Sequence, residues 1–381
     1  MRIVLAPDSY KGSATAIEVC RAMNEGLQRV GSDNEVIFSP MADGGEGTVE
    51  NLTSAYEGRT IKVQVTGPVG RPVTAKYGIL KGGLCIIETA EASGLTLVDE
   101  KERNPLVSTT YGLGQIISDA LDRGCRTFVI GLGGSATNDG GCGMAAALGY
   151  EFIFKEGCRI PSGGGCLKDL ISIRTDKVDR RIFESEFRIA CDVRNPLCGT
   201  NGASHVFGPQ KGASEEMICV LDDNLRHLAE IIQRDLGENV LNMPGAGAAG
   251  GLGAGAVAFL KGRLHEGVKI IAELLELDEK IKGSDIVFTG EGRCDLQTLN
   301  GKAPYGVVSI ANSYGIPSVI IAGDVDPRLK ASQIEGIREI IGIKTENMTL
   351  DYAKGHVYDL IADATMASFE RFVREDIHKR G

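Results

Sequence analysis

Residues 128–141 read FVIGLGGSATNDGG, an apolar run that passes directly into a glycine-rich loop carrying Asp139. In an open α/β sheet, ligands bind just beyond the carboxyl ends of the strands. Glycine lets backbone N–H groups approach a phosphate closely, and a carboxylate suits a phosphate that carries magnesium. This stretch therefore predicts a strand–loop–helix unit and indicates phosphoryl chemistry with a metal.

The same pattern occurs three more times, towards the two ends of the chain. In each case a short apolar run, the predicted strand, precedes a glycine-rich loop with at least one acid. The loops are Asp8–Gly12 after Ile3–Ala6, Asp43–Gly47 after Val36–Phe38, and Gly290–Asp295 after Ile286–Thr289.

Strands and helices alternate at the ends of the chain, whereas the middle is richer in β-type segments such as 59–65 and 73–79. A chain of 381 residues is also longer than one hydrophobic core usually serves. The fold class is therefore predicted as α/β, with a doubly wound domain (1–66 and 284–381) interrupted by a second, mixed α/β domain (67–283). The loops would then fall on two domains that face a cleft.

Local signals locate several elements. Thr15 and Glu18 have the spacing of a capping box and predict a helix over 14–30. Residues 81–83 (Lys-Gly-Gly) predict a hairpin turn between two strands, because consecutive glycines favour a tight turn between two β-type runs. A final helix is predicted over 349–378, with a break near Gly355.

The composition and net charge limit the classes of binding partner. The net charge is −10 and no lysine- or arginine-rich run occurs, which argues against nucleic acid. An acidic protein that binds anions must concentrate its cations locally. The cations in or near glycine-rich loops are Lys11, Arg194, Lys211, Arg293 and Lys302.

Neither secretion nor membrane insertion is indicated. The apolar run at the N-terminus is too short for a signal peptide, and the uncharged stretch 244–260 is too short and too rich in glycine for a membrane span. The ten cysteines show neither a C-x-x-C pair nor zinc-type spacing. We therefore expect a cytoplasmic protein with reduced, mostly buried thiols and no membrane partner.

Familiar nucleotide signatures are missing or poor. The sequence has no G-x-x-x-x-G-K-[ST] and none of the protein-kinase signatures. Gly131–Ala136 fits the dinucleotide pattern G-x-G-x-x-A, but Glu151 begins the next apolar run, whereas a ribose-binding acid should end it. Gly245–Gly250 fits G-x-G-x-x-G without a clear strand before it.

Each loop also has a purely structural interpretation. The stretch Gly245–Gly255 either cradles a phosphate or packs closely against neighbouring backbone. The acids Asp8, Asp43 and Asp139 either serve the site or cap a turn or helix. Asp192 ends an apolar strand, where sheet ligands bind, although a structural carboxylate is the alternative. For His205 the simpler interpretation is a surface or supporting position.

Taken in order, these segments resemble the bacterial glycerate kinase family, and the match runs from residue 1 to about 325. The motifs that carry the resemblance are Ala6–Gly12, Ala42–Thr48, Thr66–Gly70, Gly133–Gly141, Ala190–Val193 with Asn195–Leu197, Phe207–Ala213, Pro244–Gly251, and Thr289–Arg293 with Asp295, Gly301 and Lys302. The resemblance implies a flavodoxin-like domain carrying an inserted domain. It also implies ATP with Mg²⁺ as cofactors and D-glycerate as the small-molecule substrate, with 2-phosphoglycerate as the product.

Individual roles are inferred from residue type and position. Asp192 is the first candidate for the base that accepts the hydroxyl proton, or for a metal ligand, and Asp8 is the second. Lys11 joins them as a catalytic cation. Arg293 and Lys11 are candidates for the glycerate carboxylate, and Glu291 and Asp295 for the metal. The candidate nucleotide-binding residues are Gly133, Gly134, Ser135, Gly290, Glu291, Gly292 and Lys302.

Three alternatives remain open at this point. The product could instead be 3-phosphoglycerate, because glycerate offers hydroxyls on C2 and C3. An NAD-dependent hydroxy-acid dehydrogenase is a rival enzyme that the position of Glu151 weakens. A non-catalytic nucleotide sensor does not readily explain so many acids and bases in separate loops.

Overall fold

The structure is a computed structural model. It describes residues 1–42, 44–45, 47–155, 163–296, 298, 302–331 and 334–380, with side chains as far as residue 375. The chain divides into two compact units, the first formed by Met1–Asp43 with Val268–Gly381 and the second by Gly44–Gly267.

The strands are β1 (Arg2–Leu5), β2 (Glu35–Phe38), β3 (Arg59–Thr66), β4 (Pro72–Ile79), β5 (Leu84–Glu88), β6 (Thr127–Gly131), β7 (Glu151–Phe154), β8 (Leu170–Arg174), β9 (Glu186–Ala190), β10 (Arg263–His265), β11 (Ile286–Cys294), β12 (Ser318–Val325) and β13 (Ile337–Gly342). The helices are α1 (Ala16–Val30), α2 (Thr48–Ala55), α3 (Ala90–Ser93), α4 (Tyr111–Asp122), α5 (Cys142–Ala147), α6 (Ala203–Phe207), α7 (Glu215–Leu236), α8 (Ala248–Leu260), α9 (Gly267–Leu274), α10 (Leu277–Ile281), α11 (Ala303–Ser313), α12 (Leu350–Gly355) and α13 (Val357–Arg380).

The first unit is built on a parallel sheet in the order β13-β12-β11-β1-β2. Numbered within the unit, this order is 2-1-3-4-5, the flavodoxin-like arrangement. The predicted doubly wound, flavodoxin-like domain is therefore confirmed. In such a sheet the strand order reverses between the first and third strands, which here are β1 and β11, so the carboxyl ends of these two strands mark the expected ligand position.

Helix α1 forms for the reason that the sequence indicated. The Thr15 side chain accepts from the N–H of Glu18 at 3.4 Å, and a Glu18 oxygen accepts from the N–H of Thr15 at 2.8 Å. This reciprocal pair satisfies two backbone donors that a helix start leaves open. The apolar face of α1 is buried at Val19, Met23 and Leu27 in the core beneath the sheet.

The second unit is built on a mixed sheet in the order β10-β9-β6-β5-β4-β3. Strands β5, β6, β9 and β10 run parallel, whereas β4 pairs antiparallel with both β3 and β5. The predicted turn at 81–83 joins β4 to β5, where Gly82 and Gly83 have φ of 86° and 83°. The mixed α/β character of the middle of the chain is confirmed. Register places Glu88, Gly131, Ala190 and His265 side by side at the carboxyl edge.

The division into compact units differs from the predicted boundaries. Residues 44–66 were expected in the first domain, but they form α2 and β3, and β3 pairs along its whole length with β4. Residues 268–283 were expected in the inserted domain, but they contain α10, which precedes β11 in the first unit. The predicted boundaries, taken as the limits of domains that fold independently, remain a prediction.

The predicted break in the last helix is present, because α12 ends at Gly355 and α13 begins at Val357. The described cysteines are free, and the buried ones are Cys20, Cys85, Cys125, Cys142 and Cys294. Among the described residues, no helix combines the length and the apolar character that crossing a membrane requires.

Candidate active site

The first group of predicted site residues lies where β1 and β11 end. Pairing of these parallel strands continues past Leu5, because the N–H of Ala6 donates to the carbonyl of Phe288 and that of Asp8 to Gly290, each at 2.8 Å. Asp8 is therefore carried next to Gly290 at the point where the strand order reverses.

Glu291 is the centre of a polar cluster at this edge. Its side chain is 12% exposed; one oxygen accepts from the Thr298 hydroxyl at 2.7 Å, and the other lies 3.4 Å from the Lys302 Nζ. Lys302 Nζ also lies 3.8 Å from a carboxylate oxygen of Asp295. Burial raises the pKa of Glu291, and hydrogen bonding by Thr298 and the charge of Lys302 oppose that rise. Lys302 thus lies between two partly buried carboxylates, those of Glu291 and Asp295.

The loop after β1 brings Asp8 and Lys11 to the same edge. One Asp8 oxygen accepts from the N–H of Ser9 at 2.6 Å and lies 3.3 Å from the Ser9 hydroxyl. The loop packs on β11 at Gly292, where an added Cβ would lie 3.3 Å from the backbone nitrogen of Lys11. The Lys11 side chain is exposed there.

Two predicted glycines at this edge belong to a strand and not to a loop. Strand β11 continues to Cys294, and Gly290 is in register with Ile321 of β12. An added Cβ on Gly290 would lie 1.9 Å from the Ile321 carbonyl oxygen, and one on Gly292 would lie 3.3 Å from the Tyr10 Cα. Close packing on β12 therefore explains Gly290, and Gly292 packs against the loop after β1. Contact of either glycine with a nucleotide stays a prediction.

Tyr10 is a structural residue that sequence reasoning did not single out. It is 2% exposed, and its hydroxyl donates to the Ile321 carbonyl at 2.6 Å. Burial raises the pKa of Tyr10, so the phenol stays neutral. It fixes the loop that carries Asp8 and Lys11 against the sheet.

Arg293 is exposed and lies in register with Asp324 of β12. The charge of Arg293 acts on Asp326, which follows β12. Hydrogen bonding by Arg328, and to a smaller extent the charge of Arg293, hold the pKa of Asp326 well below its usual range. Arg293 is therefore at the predicted edge.

In the second unit, the glycine-rich segment after β6 has two parts. We call Gly133–Gly134 the tip, because both residues are exposed, and Ser135–Gly141 the anchor, because every residue in it is buried. The Ser135 hydroxyl accepts from the N–H of Thr137 at 3.1 Å and lies 2.8 Å from the Thr137 hydroxyl. That hydroxyl is thus engaged inside the anchor, and its contact with a nucleotide stays a prediction.

Asp139 has a structural role in this segment. It is fully buried, and its oxygens accept from the N–H and hydroxyl of Thr110 and from the N–H groups of Gly141 and Gly143 at 2.8–3.2 Å. Burial raises the pKa of Asp139, while these four donors oppose the rise. The carboxylate ties the anchor to the start of α4 and α5.

The stretch Gly245–Gly255 packs closely against neighbouring backbone, which is the structural one of its two interpretations. The N–H of Gly140 donates to the Gly250 carbonyl at 3.1 Å. A Cβ on Gly250 would lie 2.0 Å from the Thr137 carbonyl oxygen, and one on Gly255 would lie 2.4 Å from that of Gly140. Glycine is required here because the anchor and α8 meet backbone to backbone.

Asp192 follows β9 at the same carboxyl edge as the tip. It is exposed, and one of its oxygens accepts from the N–H of Gly267 at 2.9 Å. The N–H of Leu132 donates to the carbonyl of Ala190 at 3.3 Å, which joins the two loops. Asp192 therefore lies where the sequence placed it, at the end of a sheet strand.

Glu88, at the end of β5, is a carboxylate that sequence reasoning missed. It is 5% exposed and accepts from the N–H of Gly47 at 3.1 Å and of Val49 at 2.8 Å. Burial raises its pKa, although these bonds oppose the rise. Glu88 caps the start of α2, the element that follows the loop Asp43–Gly47; Asp43 and Glu46 lie outside the described residues.

Two residues weighed from the sequence have supporting positions. His205 is half-buried, with Nδ1 3.5 Å from a carboxylate oxygen of Asp222. Glu151 is the first residue of β7 and accepts from Lys177 Nζ at 2.6 Å. That position is unlike the one a ribose-binding acid needs, which weakens the dinucleotide interpretation further.

The structure thus gathers most predicted residues into two groups. The group in the first unit is Asp8, Lys11, Gly290, Glu291, Gly292, Arg293, Asp295 and Lys302; the group in the second is Gly133, Gly134, Ser135 and Asp192. Sequence reasoning missed Thr298 and Glu88. Glu88 ends an apolar strand as Asp192 does, so the same signal could have found it. Gly301 lies outside the described residues.

A divalent cation would find part of a site at Glu291 and Asp295. Within the described part of the chain, no group of three or more His, Cys, Asp or Glu side chains could hold a metal ion by itself. Mg²⁺ commonly binds through one or two carboxylates and completes its shell with phosphate oxygens and water. Two carboxylates that share Lys302 fit that mode.

Fold and site together define an α/β protein with a flavodoxin-like unit and charged loops at its strand ends. The sequence model of the glycerate kinase family matches residues 3–372, and the chain belongs to that family of enzymes. A glycerate kinase of Halalkalibacterium halodurans is 47% identical over 92% of this chain and 93% of its own. The glycerate 2-kinase of Escherichia coli is 46% identical over 96% of both chains.

A solved structure agrees with this assignment. A crystal structure of a Salmonella typhimurium LT2 protein described as glycerate kinase 2 superposes with a TM-score of 0.91 at 42% identity. The match covers 99% of each chain.

Proposed function

We propose that this chain transfers the γ-phosphoryl group of ATP to D-glycerate and that the product is 2-phosphoglycerate. Membership of the glycerate kinase family supports glycerate as the acceptor. The observation that carries the rest of the proposal is the cluster of Glu291, Asp295 and Lys302 at the carboxyl ends of β1 and β11. Carboxylates beside a cation at this point of a doubly wound sheet suit a magnesium-bound polyphosphate.

The nucleotide would be held mainly by charge. Mg²⁺, when bound with ATP, neutralises charge on the phosphate oxygens. Glu291 and Asp295 are the residues proposed to hold it. Lys302 lies within 4 Å of both carboxylates and would supply the second positive charge near the phosphates.

The acceptor hydroxyl needs a group that takes its proton. Asp192 is the first candidate, because one of its oxygens is fixed by the Gly267 N–H and this bond sets the orientation of the carboxylate. Asp8 is the second candidate. Lys11 and Arg293 are proposed for the glycerate carboxylate, and the backbone N–H groups of the tip for a phosphate or carboxylate oxygen.

The choice of hydroxyl is a positional question. The product depends on which glycerate oxygen lies in line with the γ-phosphate. The Escherichia coli relative, 46% identical, is named a glycerate 2-kinase, which supports transfer to the C2 hydroxyl.

The decisive experiment supplies D-glycerate, ATP and Mg²⁺ together with purified enolase and no phosphoglycerate mutase. Immediate formation of phosphoenolpyruvate is expected, because enolase accepts the 2-phosphate. ADP release without phosphoenolpyruvate until a mutase is added would show the 3-phosphate and overturn the proposed product. Reactions without glycerate or without ATP are the controls. A change in absorbance with NAD would indicate a dehydrogenase, and ATP binding without turnover would indicate a sensor.

A further inference from the structure

Lys211 is a buried lysine that the proposed reaction does not use. It is 1% exposed and is the last residue of a short helical turn, Pro209–Lys211. Its Nζ donates to the carbonyl of Thr137 at 2.6 Å, and Asp139 is the acid whose charge acts on it. Both partners belong to the anchor.

A lysine in this position is costly to the fold. Lysine is almost never fully buried unless it is paired, because a charge loses its hydration there. Burial lowers the pKa of Lys211 to about 7, although the charge of Asp139 opposes this shift. A well-packed apolar side chain of similar volume is often no worse for stability than a buried ion. Stability alone therefore gives no reason for a lysine at position 211.

The contact made by Lys211 does give a reason. Thr137 is the third of the four residues between the tip and Asp139. Its carbonyl oxygen accepts from Lys211, and the Gly250 backbone approaches the same oxygen. Asp139 is held by Thr110, Gly141 and Gly143. One ammonium group thus fixes the middle of the anchor, three residues from Gly134.

We propose that Lys211 is a positioning residue: it fixes the anchor through its hydrogen bond to the Thr137 carbonyl, and thereby holds the tip in the conformation that binds substrate. The inference rests on the proposed function in one respect, namely that a nucleotide or glycerate oxygen binds at the tip. Lys211 itself touches neither substrate.

The test compares Lys211→Met with wild type, and Lys168→Met, an exposed lysine of the same unit, is the control. We expect Lys211→Met to raise KM for ATP or D-glycerate at least tenfold and to speed amide hydrogen exchange in peptides covering 131–141. Lys168→Met should leave both unchanged. In wild type, ATP or D-glycerate should slow exchange in the peptide that contains the tip.

A second variant, Lys211→Gln, keeps a donor for the Thr137 carbonyl and removes the charge. We expect a smaller rise in KM than for methionine. The proposal is overturned if Lys211→Met lowers the melting temperature but leaves KM and exchange at wild-type values, because Lys211 would then be structural only. It is also overturned if neither variant folds, or if no substrate slows exchange at the tip.

Failure of the proposed function would look different. Wild-type enzyme that releases no ADP with D-glycerate would overturn the reaction. The exchange of 131–141 in Lys211→Met, and its protection by ATP in wild type, would still decide the role of Lys211.

Discussion

The two glycine-rich acidic segments at 133–141 and 290–295 look alike in sequence and differ in structure. In the first, the acid Asp139 is fully buried and surrounded by backbone donors. In the second, Glu291 and Asp295 retain 12% and 25% side-chain exposure and share Lys302. The Asp139 carboxylate is fully engaged in holding the fold, whereas Glu291 and Asp295 are the acids proposed to act in the reaction.

The difference lies in what satisfies each carboxylate. Backbone N–H groups cannot leave Asp139 without undoing the turn at Gly141 and the start of α5, so this carboxylate is fixed. Side chains hold Glu291, and Lys302, which lies beside both Glu291 and Asp295, is a side chain that can be redirected when a polyphosphate arrives. A glycine-rich acidic loop after a strand thus indicates either an anchor or a site, according to where its donors come from.

The largest expected effect separates the two segments by stability. Asp139→Ala leaves buried donors without an acceptor and should lower the free energy of unfolding by about 3–5 kcal/mol. Asp295→Ala should change it by less than about 1 kcal/mol, because the ion pair is partly exposed. Urea unfolding measures both, with exposed Asp176→Ala as the control. Equal losses for Asp139→Ala and Asp295→Ala would remove the distinction.

Sequence reasoning found the fold where local signals agree with tertiary structure. The capping box of Thr15 and Glu18, the turn at 81–83 and the break near Gly355 all depend on neighbouring residues, and each is present. The division into units is harder to predict from sequence. Strand β3 belongs to the second unit because it pairs with β4, and no pattern within 44–66 indicates that pairing.

The site was foreseen by position more than by role. Asp8, Glu291 and Asp192 were recognised because each follows an apolar run in the sequence. Asp8 and Asp192 lie beyond the ends of their strands, whereas Glu291 lies within β11, past the part that pairs with β1. Asp139 follows the same rule, yet its donors come from Thr110 and from the start of α5. Thr298 bonds Glu291 from within a loop, and a lone threonine in a loop carries no signal.

The second prediction concerns catalysis at the edge of the second unit. Asp192→Asn should keep the fold, since an amide oxygen can still accept from Gly267, and should lower kcat by about 10² or more, the scale of a lost general base. Steady-state kinetics with D-glycerate and ATP checks it, with exposed Asp176→Asn as the matched control. Near-normal kcat in the folded variant would remove Asp192 from the mechanism and leave Asp8 as the candidate.

The third prediction sharpens the role of the bridging cation. Lys302→Ala should raise KM for ATP or D-glycerate about tenfold, roughly the 1.4 kcal/mol expected for one charged contact. It should have little effect on the melting temperature, because Lys302 is one-third exposed. Lys354→Ala, an exposed lysine of α12, is the control. Unchanged KM for both substrates, with unchanged kcat, would make Lys302 a surface charge.

The smallest expected effect is a pH dependence of stability at Glu291. Burial raises the pKa of Glu291 above its ordinary value of 4.5, so over the interval between the two values the folded protein binds more protons than the unfolded chain. Stability from this group is therefore complete below pH 4.5 and is lost as pH rises through the folded pKa. Glu291→Gln removes this contribution.

The difference in unfolding free energy between wild type and Glu291→Gln should accordingly fall as pH is raised from 4 to 8 in a series of urea titrations (about five pH values). Exposed Glu184→Gln is the control for the loss of one acid. If Mg²⁺ binds at Glu291 together with ATP, the positive charge of the metal ion should favour the carboxylate and flatten the wild-type profile. A difference that rises with pH would show that Glu291 is stabilised as a carboxylate by its surroundings, as a fixed anchor would be, and would contradict its assignment to the site.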